Sequence, residues 1–380
     1  MVEFCHGERF WDTGLTWTNN SWPQFTDCFR YSVLELFPCV WLWVTSAPYV
    51  CYLFSQPRRH MSQRRLFLAR LTLVVLLGVL HLMMLVERTM KDTVWAAELS
   101  DILWLPTLLV VVTVLALERS RGQVRSFILF SFWIFTSAIL AFQLYSDIRL
   151  HAPSSSRVQF TLQCFRYGTA TVSFLLSCLA DEGDTKPKSD NPELSASALS
   201  WIAFAWLERL MVRGFRKPLT EADVFELHPS DKTASAIDRF MRQWVRHSPP
   251  SDASEPLTSV KNKPTFLGTL VRTFWLDLFV SHVGMVVFVA MNLFTPIILG
   301  WFVKFAENEG EPLWHGYVFA LAFLVTKILI TIFNTSSQFL AARMAVRVRS
   351  TAIAAIFRKA LSLSSQSRRE LSMGEIVNLM

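Results

Sequence analysis

The sequence predicts an all-α integral membrane protein with five spanning helices, a soluble connector, and two longer helices. Three observations carry this. Apolar residues make up 52% of the 380-residue chain and charged residues only 18%, against roughly 25% charged in an ordinary soluble domain. Uncharged runs repeatedly approach the roughly 20 residues a helix needs to cross about 30 Å of hydrocarbon. Basic residues also gather in alternate loops, as positive-inside topology requires.

The first five runs are Tyr31–Phe54, Leu66–Val86, Ile102–Leu117, Ser126–Tyr145 and Phe160–Ala180. The third is short unless its helix begins near Val94. The fifth contains Arg166, which is expected near its outer end. No spanning run occurs from Asp181 to about Lys263. Two more follow, Phe274–Phe302 and Trp314 to about Phe339, so the total is about seven, grouped as five and then two.

Arg58, Arg59, Arg64 and Arg65 follow the first run, and Arg119, Arg121 and Arg125 follow the third. Both loops are therefore expected in the cytosol, which makes the N-terminus extracellular and the C-terminus cytosolic; the plasma membrane is a separate expectation that charge bias does not supply. Residues 1–30 form an external leader without the apolar core of a cleavable signal. Asn19, in Asn19-Asn20-Ser21, is then a glycosylation acceptor in the right compartment. Asn334-Thr335-Ser336 lies within a spanning run and is expected to stay unmodified. Cys5 and Cys28 share the leader, the one oxidising place in the chain, and form the candidate disulfide. No Cys/His spacing suggests a metal.

The connector opens with Asn191-Pro192-Glu193, the order of a helix cap, a first-turn proline and a first-turn acid. Leu199, Trp201, Ile202, Trp206 and Leu210 then give an apolar helical stripe bordered by Arg209 and Arg213. Such a helix suits the cytosolic surface of a bilayer, and the same pattern also fits packing on other protein. A turn is expected at Gly214 and Pro218, and flexible chain from Lys232 to Pro264.

The last run continues past Phe339 without Gly or Pro, so one helix from about Trp314 to Leu363 is expected, on the order of 75 Å long. Lys327 lies about mid-depth in it, where a charge is costly unless it meets a cavity or partner. It is the leading substrate-binding candidate, with Asn334 and Asn292 beside it. Asp277 and His282 are further candidate partners for its charge. The closing Ser372–Met380 stretch reads as mid-helix and is expected to continue.

The leader, "PCVWLW", the connector "GFRKPLTEADVFEL" and the end "FRKALSLSSQSRRELSMGEIVNLM" resemble the multidrug-resistance-associated branch of ABC transporters, subfamily C. The resemblance implies an N-terminal portion in four parts. These are the leader (1–30), a five-helix membrane domain (31–180), a cytosolic lasso linker with its amphipathic helix (181–270), and the first two helices of an ABC exporter transmembrane domain (271–380). Gly374, Glu375, Asn378 and Leu379 match the motif that leads to a nucleotide-binding domain. Where conjugate exporters place basic residues before the proline of the sixth helix, this chain has Met285 and Phe288 before Pro296.

No G-x-x-x-x-G-K-[ST] stretch occurs, nor any paired nucleophile and base, so no catalytic residue is assigned. ATP and magnesium are expected only in a full-length parent, which would export organic anions, conjugates or drugs. The implied partners are the bilayer, that substrate and the remainder of the transporter, with no role for nucleic acid. Two alternatives remain: a regulatory membrane module bound to another membrane protein, and a seven-helix receptor. The five-plus-two grouping counts against the receptor.

Overall fold

A computed structural model describes residues 5, 9–17, 23–56, 64–90, 95–149, 157–179, 191–247, 265–308 and 310–362. All regular structure among them is helical. Two compact units form, one from residues 1–224 and 308–316, the other from 225–307 and 317–380.

The first unit is built on five helices. α1 (Phe37–Ser55) is led in by a turn at Asp27–Phe29 and a π-helical turn at Arg30–Leu34, which make one helical run, Asp27–Ser55. α2 (Arg64–Thr89), α3 (Trp95–Arg121), α4 (Phe127–Arg149) and α5 (Arg157–Ser177) follow. The third helix thus starts at the early position its length requires. α2 packs on α3 and α5, α4 on α5, and α1 on α3 and α4. Leu42, Leu77, Val111, Phe132 and Trp133 close the interior, while Val44, Val75 and Leu109 are exposed outward. An apolar outer surface of this kind is what hydrocarbon solvates.

Among the described residues six helices are long and apolar enough to cross a membrane, and α5 is not one of them. The cause is an inverted amphipathic pattern. Gln163, Arg166, Thr169 and Ser173 are buried along one stripe of α5, while Phe165, Val172 and Leu175 are exposed on the other side. Its polar residues face protein and its apolar residues face outward, so mean hydropathy understates how well the helix fits the bundle.

The connector departs from one continuous amphipathic helix. α6 (Ala198–Ile202) ends where Phe204 adopts φ 55°, a 3-10 turn spans Ala205–Leu207, and α7 (Glu208–Arg216) restarts the helix. A non-glycine residue in the left-handed region breaks the helical register, so the expected stripe is divided between segments. The expected turn at Gly214 is also corrected. Helix continues through it to Arg216, and the Leu219 side chain packs where a Cβ on Gly214 would point.

The second unit contains α8 (Thr233–His247), α9 (Phe266–Glu307) and most of α10 (Leu313–Ser362). α8 replaces flexible chain over those residues, which corrects the reading from Lys232 onward. Ala236, Ile237 and Phe240 are buried in a cluster with Leu270 and Phe274 of α9, and Val348 of α10 packs against it. The helical spacing was diluted by Asp238, Arg239 and Arg242 on the remaining faces. Residues 248–264 lie outside the described residues. α10 holds 50 residues without a break, about 75 Å at 1.5 Å per residue. Ser281 donates to the Ser337 carbonyl at 3.3 Å, and Gly284 meets Ser337 so closely that a Cβ would collide with it.

Candidate functional site

Charges concentrate in two clusters, one in each unit. In the first unit every helix contributes to a buried polar chain. Glu35, just before α1, pairs with Arg166 of α5, each about 1% exposed. Arg166 also lies 3.5 Å from Gln163, whose amide donates to Gln143 of α4 at 3.2 Å. The Arg166 guanidinium stands over Trp104 of α3, and Trp104 stacks on His81 of α2 at 4.9 Å. His81 Nδ1 is 2.9 Å from Asp101, whose other oxygen accepts from Arg88 at 2.9 Å. Arg88 also donates to the Ala97 carbonyl and lies over Tyr31. Nearby, Arg30 grips Asp147 through two bonds of 2.7 Å.

Arg166 is therefore a central interior residue, not a rim residue as expected. Two carboxylates, Glu35 and Asp101, are matched by two guanidinium groups, Arg88 and Arg166. Charge buried in a membrane bundle is tolerated when it is paired and hydrogen-bonded inward. Sequence inspection flagged Arg166 but missed its partner, because Glu35 sits at a helix end where an acid looks solvated.

The linker is tied to the same unit. Arg125 donates to the Glu193 carbonyl at 3.1 Å and stands over Trp201, whose ring also meets Phe127 at 5.4 Å. Trp201, Ile202, Trp206 and Leu210 are half-buried, whereas Leu199 is exposed. The residues that α7 leaves outermost are instead Met211, 70% exposed, and Phe215, 93% exposed. Beyond α7, Asp223 accepts from the Thr220 amide and hydroxyl, Arg213 and Lys217. These donors, Thr220 foremost, hold its carboxyl down at about 2. A depressed carboxyl contributes to folding above its ordinary range and loses that contribution as pH falls toward 2.

In the second unit Asp231 is the focus. It sits at the end of a 3-10 turn, Pro229–Asp231, and accepts from Arg343 at 2.6 Å and from Arg347 at 2.5 Å. Arg347 reaches Asp277 of α9 at 2.9 Å and the Ser230 hydroxyl at 3.0 Å. Arg343 and Arg347 are one helical turn apart, so one carboxylate bridges both. This clasp fastens the end of the linker to α10 and, through Arg347, to α9. Asp277 thus serves Arg347 and not Lys327, and His282 contacts the Leu278 carbonyl of its own helix.

The substrate candidates are not assembled into a pocket among the described residues. Lys327 is exposed on α10 with its ammonium 5.4 Å from the Phe323 ring centre. Asn334 accepts from Gln338, and Asn292 donates to the Phe288 carbonyl. Cys5 and Cys28 are joined by a disulfide. Asn19, Gly374, Glu375, Asn378 and Leu379 lie outside the described residues. Among the described residues no group of three His, Cys, Asp or Glu side chains is placed to hold a metal ion.

Comparison with known proteins fits this architecture. The ABC transporter TMD0 domain family matches residues 3–161. ATP-binding cassette sub-family C member 3 of Mus musculus is 26% identical over 98% of this chain, and its Homo sapiens counterpart is 27% identical over 98%. Homo sapiens sub-family C member 2 is 26% identical over the whole chain. The stretch similar to the TMD0 domain of ABC transporters lies within the first unit. Over nearly its full length the chain is similar to these sub-family C members. It spans about a quarter of the length of those relatives.

The TMD0 match takes in Glu35, His81, Arg88 and Asp101 and stops five residues short of Arg166, so the ion pair closes the domain from just beyond the matched stretch. The Asp231 clasp lies wholly beyond it. Replacing Asp231→Asn should release both arginines at a cost of about 3 kcal/mol. Hydrogen exchange on the full chain should then show α8 amides exchanging at least about tenfold faster while α3 amides stay unchanged.

Proposed function

We propose that the chain is the N-terminal part of an ATP-driven exporter that moves organic anions, conjugates or drugs out of the cytosol. The observation that supports this most is continuous homology to subfamily C transporters across TMD0, linker and long helices alike. In this reading the domains are a leader (1–30), a five-helix membrane domain (31–180), a lasso linker (181–270) and the start of the transport domain (271–380). The N-terminus is extracellular and glycosylated at Asn19, the C-terminus is cytosolic, and the plasma membrane is the site of action.

ATP and magnesium act in the remainder of the transporter. The chain lacks a phosphate-cradling loop, so it does not transport alone. Gly374, Glu375, Asn378 and Leu379 pass movement of α10 to a nucleotide-binding domain. A 50-residue unbroken helix suits that work, because a rigid rod transmits displacement along its length. Lys327, Asn334 and Asn292 face the pathway once the other transport helices surround them. An ammonium at that depth attracts an anion strongly, since desolvation magnifies charge interactions.

The linker lies on the inner membrane surface through α7. Phe215 and Met211 insert among lipid while Arg209, Arg213, Arg216 and Lys217 meet anionic headgroups. Leu199, Trp201, Ile202, Trp206 and Leu210 support it from the side of the first unit.

Vesicle uptake by the full-length transporter tests the export reading. Lys327→Ala should lower uptake of anionic conjugates about tenfold or more and spare uncharged drugs; unchanged uptake of every anion would remove Lys327 from the pathway. Flotation of a peptide spanning residues 191–224 with anionic liposomes tests α7. Phe215→Asp should abolish binding that Leu199→Ala leaves largely intact.

A further inference from the structure

Residues 308–316, the connection after α9 and the first four residues of α10, belong to the first compact unit. One contact there is unusual in its chemistry. His315, 3% exposed, has Nδ1 at 3.0 Å from a Glu311 carboxylate oxygen and Nε2 at 2.9 Å from the Trp17 backbone carbonyl. Both neighbours are acceptors. A neutral imidazole carries one N–H and can satisfy one of them, whereas an imidazolium donates to both.

The aromatic surroundings favour the same form. The Trp17 indole stacks on the His315 ring at 4.4 Å with 21° between planes, and a cation over an indole face is attracted by its quadrupole. Trp314 meets the imidazole edge-on at 4.1 Å and also packs on Trp17 at 5.6 Å. Glu311 is an ionisable group in direct contact with His315 among the described residues, and Asn308 donates to it at 3.3 Å. His315 holds the Glu311 carboxyl below its usual range.

We propose that His315 is a protonation-controlled latch that fastens the leader, through Trp17, to the first turn of α10, closed as the imidazolium and loosened as the imidazole. The leader is in turn held to the Asp27–Ser55 helical run by Cys5–Cys28 and by Trp11 meeting Phe29 edge-on at 4.9 Å. The latch therefore ties the leader to residues 308–316 within the first unit. Its strength follows the acidity of the compartment that the leader faces. When the proton leaves, one acceptor loses its donor, the Glu311 attraction disappears, and the stack keeps only its neutral component.

Hydrogen exchange on the full 380-residue chain in lipid nanodiscs, at pH 5.5 and pH 8 with intrinsic rates corrected, reads the latch directly. Amides of residues 12–17 should lose about tenfold in protection at the higher pH, the scale of one charge-assisted hydrogen bond. Glu311→Gln should shrink that pH dependence, and His315→Gln, which donates from one amide at any pH, should remove it. Amides of α3 serve as the folding control. Equal protection at both pH values in the unaltered chain, or an undiminished pH dependence in His315→Gln with α3 intact, would overturn the proposal.

Discussion

Compensation of buried charge is the constraint on which the first unit depends. Glu35 and Arg166 sit about 1% exposed inside a bundle whose outside is Val, Leu and Phe. Neither can reach water, and a single ion left there would cost several kcal/mol. The chain therefore brings the lead-in to α1 and the middle of α5 together, although 131 positions separate them. Trp104, His81 and Asp101 extend the chain of contacts to Arg88. Lipid supplies little hydrophobic drive for helices to associate, so a polar chain touching all five helices gives the bundle a register that apolar packing alone leaves loose.

The second unit uses the same device among buried residues of its own. Asp231 ends a short turn of the linker and spans two arginines of α10, and Arg347 carries the connection on to Asp277 of α9. Behind this clasp, Phe240 and Ile237 bury the apolar side of α8 against α9. The linker is thus held at two sites within two different units, at Trp201 by Arg125 and Phe127 and at Asp231 by the arginine pair.

Much of this was legible from residues alone. Spanning runs emerge from length and charge, and the long α10 follows from an unbroken stretch of helix formers. What stayed hidden shares one cause: a polar residue reads as solvated until its partner is known. Arg166 looked like a rim residue because Glu35 is distant in sequence. Asp231 looked like linker because its arginines lie more than a hundred residues on. α8 looked flexible because its charged faces masked Ile237 and Phe240. Phe204 gave no signal, since a left-handed backbone in an aromatic residue has no compositional mark. Lys327 was conspicuous as a charge in an apolar run, yet on α10 it is exposed and its ammonium meets only the Phe323 ring among the contacts described.

The central claim is that Glu35 and Arg166 act as a pair whose joint burial holds the five helices in register. A double-mutant cycle on the full chain in nanodiscs, following unfolding of Glu35→Gln, Arg166→Met and the double variant, tests it most directly. The account predicts costly single changes and a double change cheaper than their sum by about 2 kcal/mol or more. Additive costs, or single changes without effect, would contradict it.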